Sequence, residues 1–70
     1  MTIQDQIAYA RAQAKIHKEA ARWLRLTLRA QPRGPWGDPV KRLKLQCSIA
    51  ERAGLARQFT QRARELRAQS

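Results

Sequence analysis

Six cationic residues in the first half of the chain recur at spacings of 4-3-4-3-4: Arg11, Lys15, Lys18, Arg22, Arg25 and Arg29. This spacing places all six along one side of a helix, over about 27 Å at about 1.5 Å per residue. A row of like charges of that length fits successive phosphates on one strand of a nucleic acid. Solvated helix flanks usually mix signs, whereas between Arg11 and Arg29 only Glu19 is acidic, and it lies off the stripe. This basic stripe therefore predicts a phosphate-binding surface, and an ordinary solvated flank is the alternative.

Four further cations near the middle of the chain extend this charge: Arg33, Lys41, Arg42 and Lys44. In total, 15 Lys and Arg residues stand against 5 Asp and Glu residues, which gives a net charge of +10. Most of the cations are Arg, whose planar guanidinium suits bidentate contacts to phosphate. The composition favours an anionic partner, with nucleic acid first and a small nucleotide held between subunits second.

No set of residues has the spacing of a catalytic or metal site. The chain has one His, one Cys and five scattered carboxylates, so neither an acid–base pair nor a zinc site is expected. Gly34 and Gly37 flank Pro35 and do not form a phosphate loop. We expect Cys47 to be a small buried apolar residue. The sequence predicts a binding protein that is not an enzyme and needs no cofactor.

Two helical segments are expected to carry these residues. Thr2 can cap a helix over about 3–30, with Asp5 as its capping-box partner, and Pro32 ends that helix. A connector rich in Pro and Gly follows over 31–37. Asp38 and Pro39 then begin a second helical half that extends to about 68. We therefore expect one all-α domain over 1–70, folded as an antiparallel helical hairpin.

The first helix has more apolar surface than one neighbouring helix can cover. An apolar seam follows a 4-3 repeat: Ile3, Ile7, Ala10, Ala14, His17, Ala21, Leu24 and Leu28. A second group, here called the apolar arc, lies on the far side of the seam from the basic stripe: Tyr9, Ala12, Ile16, Ala20, Trp23 and Thr27. Together they cover about 200° of the helix, against about 100° for an ordinary surface helix.

We expect the second half of the chain to cover the seam. A second copy should pack on Tyr9, Ile16, Ala20 and Trp23, which gives a homodimeric four-helix bundle.

The hairpin predicts which residues face one another, because residue numbers at the same level add to about 69. This register pairs Leu24 with Leu45, Ala14 with Leu55, Ala10 with Phe59, Ile7 with Ala63 and Ile3 with Leu66. It also places His17 near Arg52. We expect His17 to be a core or interface histidine with its nitrogens satisfied, or else a pH-sensitive contact between subunits. Trp36 either covers the open end of the bundle against Leu28 and Val40 or is an exposed anchor for a partner.

Gly54 leaves two alternatives for the second half. A continuous or kinked helix is one of them. The other follows from residues 49–58, Ile-Ala-Glu-Arg-Ala-Gly-Leu-Ala-Arg-Gln, which resemble the helix-turn-helix of bacterial repressors. The resemblance extends over about 46–66 and places the turn at Gly54, although Ala56 stands where Ser or Thr is common. It implies a recognition helix whose groove-facing residues are Arg57, Gln58, Gln61 and Arg62.

A function of another class remains open. Small helical proteins that self-associate occur in phages and other mobile elements, where they bind and inhibit or regulate host proteins. In such a protein Tyr9, Trp23 and Trp36 would carry the binding, and the charge would steer it. No apolar run reaches the length of a membrane span, and the N-terminal residues lack a signal-peptide pattern. We expect an intracellular protein that does not bind membranes.

Overall fold

The computed structural model describes residues 1–70 and consists of two long helices and a short turn. Helix α1 extends over Ile3–Ala30, a 3₁₀ turn over Gly34–Trp36, and helix α2 over Pro39–Gln69. The helices pack against each other along their length, and the molecule measures 55 × 15 × 13 Å. The predicted all-α helical hairpin is thereby confirmed.

Helix α1 begins at the predicted cap. The Asp5 backbone N–H donates to Thr2 Oγ1 over 3.1 Å, and the Thr2 N–H donates to the Asp5 carboxylate over 3.3 Å. These bonds satisfy backbone donors that no helical carbonyl can reach. The helix ends when Gln31 becomes extended, at ψ 138°, because the following Pro32 disfavours a helical conformation.

The connector is a tight turn that holds Trp36 outward. Gly34 has a φ of +74°, and a Cβ on Gly37 would lie 2.6 Å from the Pro32 carbonyl oxygen. The Gly37 N–H closes the turn by donating to the Gly34 carbonyl over 3.0 Å. The expectation that Trp36 covers the end of the bundle is wrong, because this turn leaves its side chain 87% exposed.

Helix α2 is continuous from Pro39 to Gln69. Its first turn is capped by Asp38, whose carboxylate accepts from the N–H groups of Val40 and Lys41 at 3.0 and 3.1 Å. Gly54 lies inside this helix, and a Cβ there would meet no atom within 4 Å. Of the two alternatives for this half, the structure has the continuous helix, and the turn required by a helix-turn-helix is not formed.

The contact between the helices is narrow and rich in alanine. Seven of the 70 residues are buried: Ile7, Ala10, Ala14, Ala21, Ala56, Ala63 and Leu66. The four from α1 all belong to the predicted apolar seam, so α2 covers most of it, whereas Ile3 at its start is 38% exposed. Five of the seven are Ala, so the backbones approach closely and the core is thin.

The first half of α2 has two apolar faces, and α1 covers only one of them. Leu45 and Ile49 turn toward α1 and are half-buried, whereas Leu43 and Cys47 are exposed. The expectation of a buried Cys47 is therefore wrong. The reason is geometric, because a single neighbouring helix contacts only one side of α2 and Cys47 is on the other side.

Candidate nucleic-acid interface

The six cations of the basic stripe are all exposed along α1. None of them forms an ion pair, since the one ion pair of the structure joins Arg62 and Glu65 on α2 at 3.8 Å. The charge of the stripe is therefore not neutralised within the chain. An uncompensated row of cations attracts polyanions from a distance.

Next to the stripe, a cavity of about 790 Å³ lies between the two helices and is open to solvent. Lys18 and Arg25 of α1 form one wall, and Arg57 and Arg64 of α2 form the other. The remaining lining residues are small or uncharged: Ala21, Ala53, Ala56, Thr60 and Gln61. The cavity thus has cations on both sides of a floor of small or uncharged side chains.

A second cavity of about 330 Å³ continues from the first and shares Lys18, Thr60 and Arg64 with it. Arg11, Lys15 and Arg67 line its far part. The two cavities together are here called the basic groove, whose cations are Arg11, Lys15, Lys18, Arg25, Arg57, Arg64 and Arg67. The groove extends along α1 from Arg11 to Arg25, about 21 Å at about 1.5 Å per residue. No carboxylate lines it.

The groove forms because short alanine side chains lie where the two helices meet, and Lys and Arg side chains lie beside them on each helix. Ala14 and Ala21 of α1 meet Ala56 and Ala63 of α2 at its base, and such short side chains fill no space above the backbone. Long Lys and Arg side chains line the groove on either side of these alanines. Thr60 is held at the floor, since its hydroxyl donates to the Ala56 carbonyl over 2.8 Å.

The other predicted cations lie outside the groove. Arg22 and Arg29 are exposed on the stripe but do not line the groove, and Arg33 and Arg42 line a separate cavity at the connector. One nitrogen of Arg42, Nη1, is buried there without a hydrogen-bond partner.

Lys41 and Lys44 are also separated from the groove. They lie about 160° and 140° around α2 from Arg57 at about 100° per residue. The structure therefore does not bring these two lysines together with the stripe.

The structure also divides the predicted recognition-helix residues between two sides. Arg57 and Gln61 line the groove, whereas Arg62 lies beside Tyr9 and Phe59 on the opposite flank. Two groove cations, Arg64 and Arg67, were absent from the predicted site. The sequence does indicate them, because Arg57, Arg64 and Arg67 are seven and three residues apart. This spacing places the three on one side of α2, as in the basic stripe of α1.

The flank opposite the groove carries an aromatic cluster and most of the apolar arc. The His17 ring stacks on Phe59 with centroids 5.6 Å apart, and Tyr9 meets Phe59 edge-on at 6.3 Å. Arg52 Nη1 donates to His17 Nδ1 over 3.0 Å, as the register predicts. The large side chains of the arc are all more than half exposed, with Tyr9 at 55%, Ile16 at 53% and Trp23 at 69%.

No group of three or more His, Cys, Asp or Glu residues is arranged to hold a metal ion. Neither helix combines the length and the apolar character needed to cross a bilayer. No protein-family model, curated protein or solved structure matches the chain.

Proposed function

We propose that the protein is a non-enzymatic nucleic-acid-binding protein whose basic groove holds the sugar–phosphate backbone. The observation that carries this proposal is the groove itself, with cations from both helices around a floor of small residues and no carboxylate. An ordinary solvated helix flank does not require cations from two helices to line the same cavity.

The dimensions of the groove support a polymeric ligand. Measured along the axis of a duplex, its length of about 21 Å corresponds to about six phosphates of one strand, at about 3.4 Å of rise per phosphate. Lys18 and Arg25 on one wall, like Arg57 and Arg64 on the other, are seven residues apart, or about 10 Å. A single small phosphate group contacts only part of such a row. A polynucleotide contacts all of it and releases a counterion at each phosphate.

The floor of the groove indicates binding with little dependence on base sequence. Ala53, Ala56 and Thr60 offer methyl groups, the Thr60 hydroxyl proton is already used within α2, and the Gln61 amide donates to Glu65 over 3.5 Å. Base readout needs side chains with free donors and acceptors aimed at base edges. Cationic walls contact phosphates, which fix the position of the ligand without reading its bases.

The proposal is tested by fluorescence anisotropy with labelled duplex DNA, single-stranded DNA and RNA. The groove variant combines Lys18→Glu with Arg64→Glu. The control combines Lys41→Glu with Lys44→Glu, which changes the net charge equally on the opposite side of α2. We expect the groove variant to weaken binding at least about tenfold more than the control does. Equal losses in the two variants, with helicity unchanged by circular dichroism, would refute the groove as the binding site.

A second candidate function is the binding and inhibition of another protein, of the kind found in phages and mobile elements. It is favoured by the exposure of Trp36 at the tip of the hairpin, because exposed Trp residues often dominate the free energy of protein binding. Trp36→Ala separates the two functions. Nucleic-acid affinity should be unchanged in this variant, whereas affinity for a protein partner should fall by about tenfold or more.

A further inference from the structure

We propose that two copies of the chain pair through the apolar arc of α1 in an antiparallel arrangement, with Ile16 on the two-fold axis. The pair then carries two basic grooves that face away from each other and hold two nucleic-acid segments at once. The pairing of two copies does not depend on the proposed function. The bridging of two nucleic-acid segments rests on the proposed function.

The first step is that the chain alone leaves too much surface exposed. Its accessible surface is 5616 Å². A folded monomer of 8.1 kDa is expected to expose about 4,500 Å². The excess of about 1,100 Å² is larger than the surface that each partner buries in a standard interface, about 800 Å². A second copy that covers part of this excess brings the chain into the normal range.

The second step is that the apolar arc is complementary to itself. If two α1 helices cross antiparallel at Ile16, residues at equal distances on either side of it face each other. Ala12 then meets Ala20 four residues from the axis, and Tyr9 meets Trp23 seven residues from it. Small residues face each other beside the axis, where the helices are closest, and the two aromatic rings meet at each end. A two-fold interface requires this match of a surface with itself.

The third step is that the charges of α1 permit this approach. Asp5 and Glu19, the two acids of α1, lie within about 60° of Ile16 around the helix, whereas the stripe cations are more distant. In the antiparallel arrangement Glu19 is at the level of Gln13 of the second copy and Asp5 faces Thr27, so neither acid meets another acid.

The arrangement determines where the grooves point. Lys18 and Arg25 lie about 160° and 180° around α1 from Ile16, at about 100° per residue. A partner on the arc is therefore on the opposite side of α1 from the groove. The two grooves open on opposite faces of the pair, so neither is covered and each can hold its own segment.

The pairing is tested by disulfide cross-linking in a Cys47→Ser background, which removes the exposed native thiol. Ile16→Cys should form a disulfide-linked dimer under mild oxidation, since two copies of this residue meet on the axis within disulfide reach. Arg25→Cys, on the opposite side of α1, is the control and should not form one. Cross-linking of Ile16→Cys no faster than that of Arg25→Cys overturns the pairing. A mass of 8.1 kDa by light scattering at micromolar concentration overturns it as well.

The antiparallel direction is tested by mixing two variants in the same background. Tyr9→Cys and Trp23→Cys should each remain unlinked alone, because equivalent residues lie far from the axis. Mixed together, they should form a disulfide between the two variants. Cross-linking of Tyr9→Cys with itself overturns the antiparallel direction.

Bridging is tested by energy transfer between two duplexes that carry different dyes. The wild-type protein should bring them together, and Ile16→Glu should bind a single duplex with unchanged affinity while the transfer signal disappears. Cross-linking at Ile16 without any binding of DNA refutes the proposed function and leaves the pairing intact. Binding of DNA without cross-linking refutes the pairing and leaves the proposed function intact. Transfer that persists in Ile16→Glu overturns bridging by the pair.

Discussion

Arg52 of α2 donates a hydrogen bond to Nδ1 of His17 in α1 over 3.0 Å. A guanidinium only donates, so this imidazole nitrogen is the unprotonated one. The bond links the helices at one level, and the stacking of His17 on Phe59 is consistent with the same register of the hairpin. That register brings Arg57 and Arg64 of α2 to the same groove as Lys18 and Arg25 of α1.

Removal of this hydrogen bond should destabilise the hairpin. We expect Arg52→Ala to lower the free energy of unfolding by about 1 kcal/mol, the usual contribution of one hydrogen bond. Urea denaturation followed by circular dichroism measures the change. The control is Arg57→Ala, since Arg57 is also exposed in α2 but forms no hydrogen bond or ion pair within the chain. Equal effects of the two substitutions would mean that the Arg52–His17 bond contributes nothing to stability.

Gly54→Ala should stabilise the protein by about 1 kcal/mol. Glycine inside a helix costs about this much relative to alanine, and the added Cβ meets no atom within 4 Å. Thermal unfolding measures the increase. If Gly54 formed the turn of a helix-turn-helix, the same substitution would destabilise the protein, so a lower melting temperature would contradict the continuous α2.

Gly37→Ala should have the opposite effect to Gly54→Ala. Its Cβ would lie 2.6 Å from the Pro32 carbonyl oxygen, which belongs to the backbone and cannot rotate away. We expect a destabilisation of about 1–3 kcal/mol, as for other overpacked sites. The same thermal unfolding experiment measures it, and an unchanged melting temperature would mean that the connector is not a tight turn.

Asp38→Ala should destabilise α2 by about 1 kcal/mol, because the carboxylate caps the N–H groups of Val40 and Lys41. Asp38→Asn keeps an acceptor at this position and is the matched control. Helicity and the urea midpoint measure both variants. If the Asn variant were destabilised as much as the Ala variant, charge rather than capping would explain the role of Asp38.

Much of the fold was predictable because its signals are local. The bounds of α1 follow from Thr2, Asp5 and Pro32, and the start of α2 follows from Asp38 and Pro39. The seam of α1 followed from its spacing, and the proximity of His17 to Arg52 followed from folding the chain at a connector of known position. Each of these inferences depends only on residues close together in the sequence, or on the antiparallel pairing of the two helices.

The errors concern residues whose environment depends on three-dimensional packing. Cys47 is exposed because only one of the two apolar faces of α2 finds a partner within the chain. Trp36 is exposed because the geometry of a short turn, which composition does not specify, directs its side chain. Arg64 and Arg67 were omitted from the predicted site because a stripe on one helix does not show which cations of the other helix share its side.

The most direct test of the central claim is the salt dependence of duplex binding. The slope of log K against log salt concentration decreases in magnitude by about 0.9 for each phosphate of B-form DNA that the protein no longer neutralises. We predict that Arg64→Ala lowers the magnitude of the slope by about 0.9, while Lys44→Ala, on the opposite side of α2, leaves it unchanged. Equal slopes for the wild type and Arg64→Ala, or an equal reduction in both variants, would contradict phosphate binding in the basic groove.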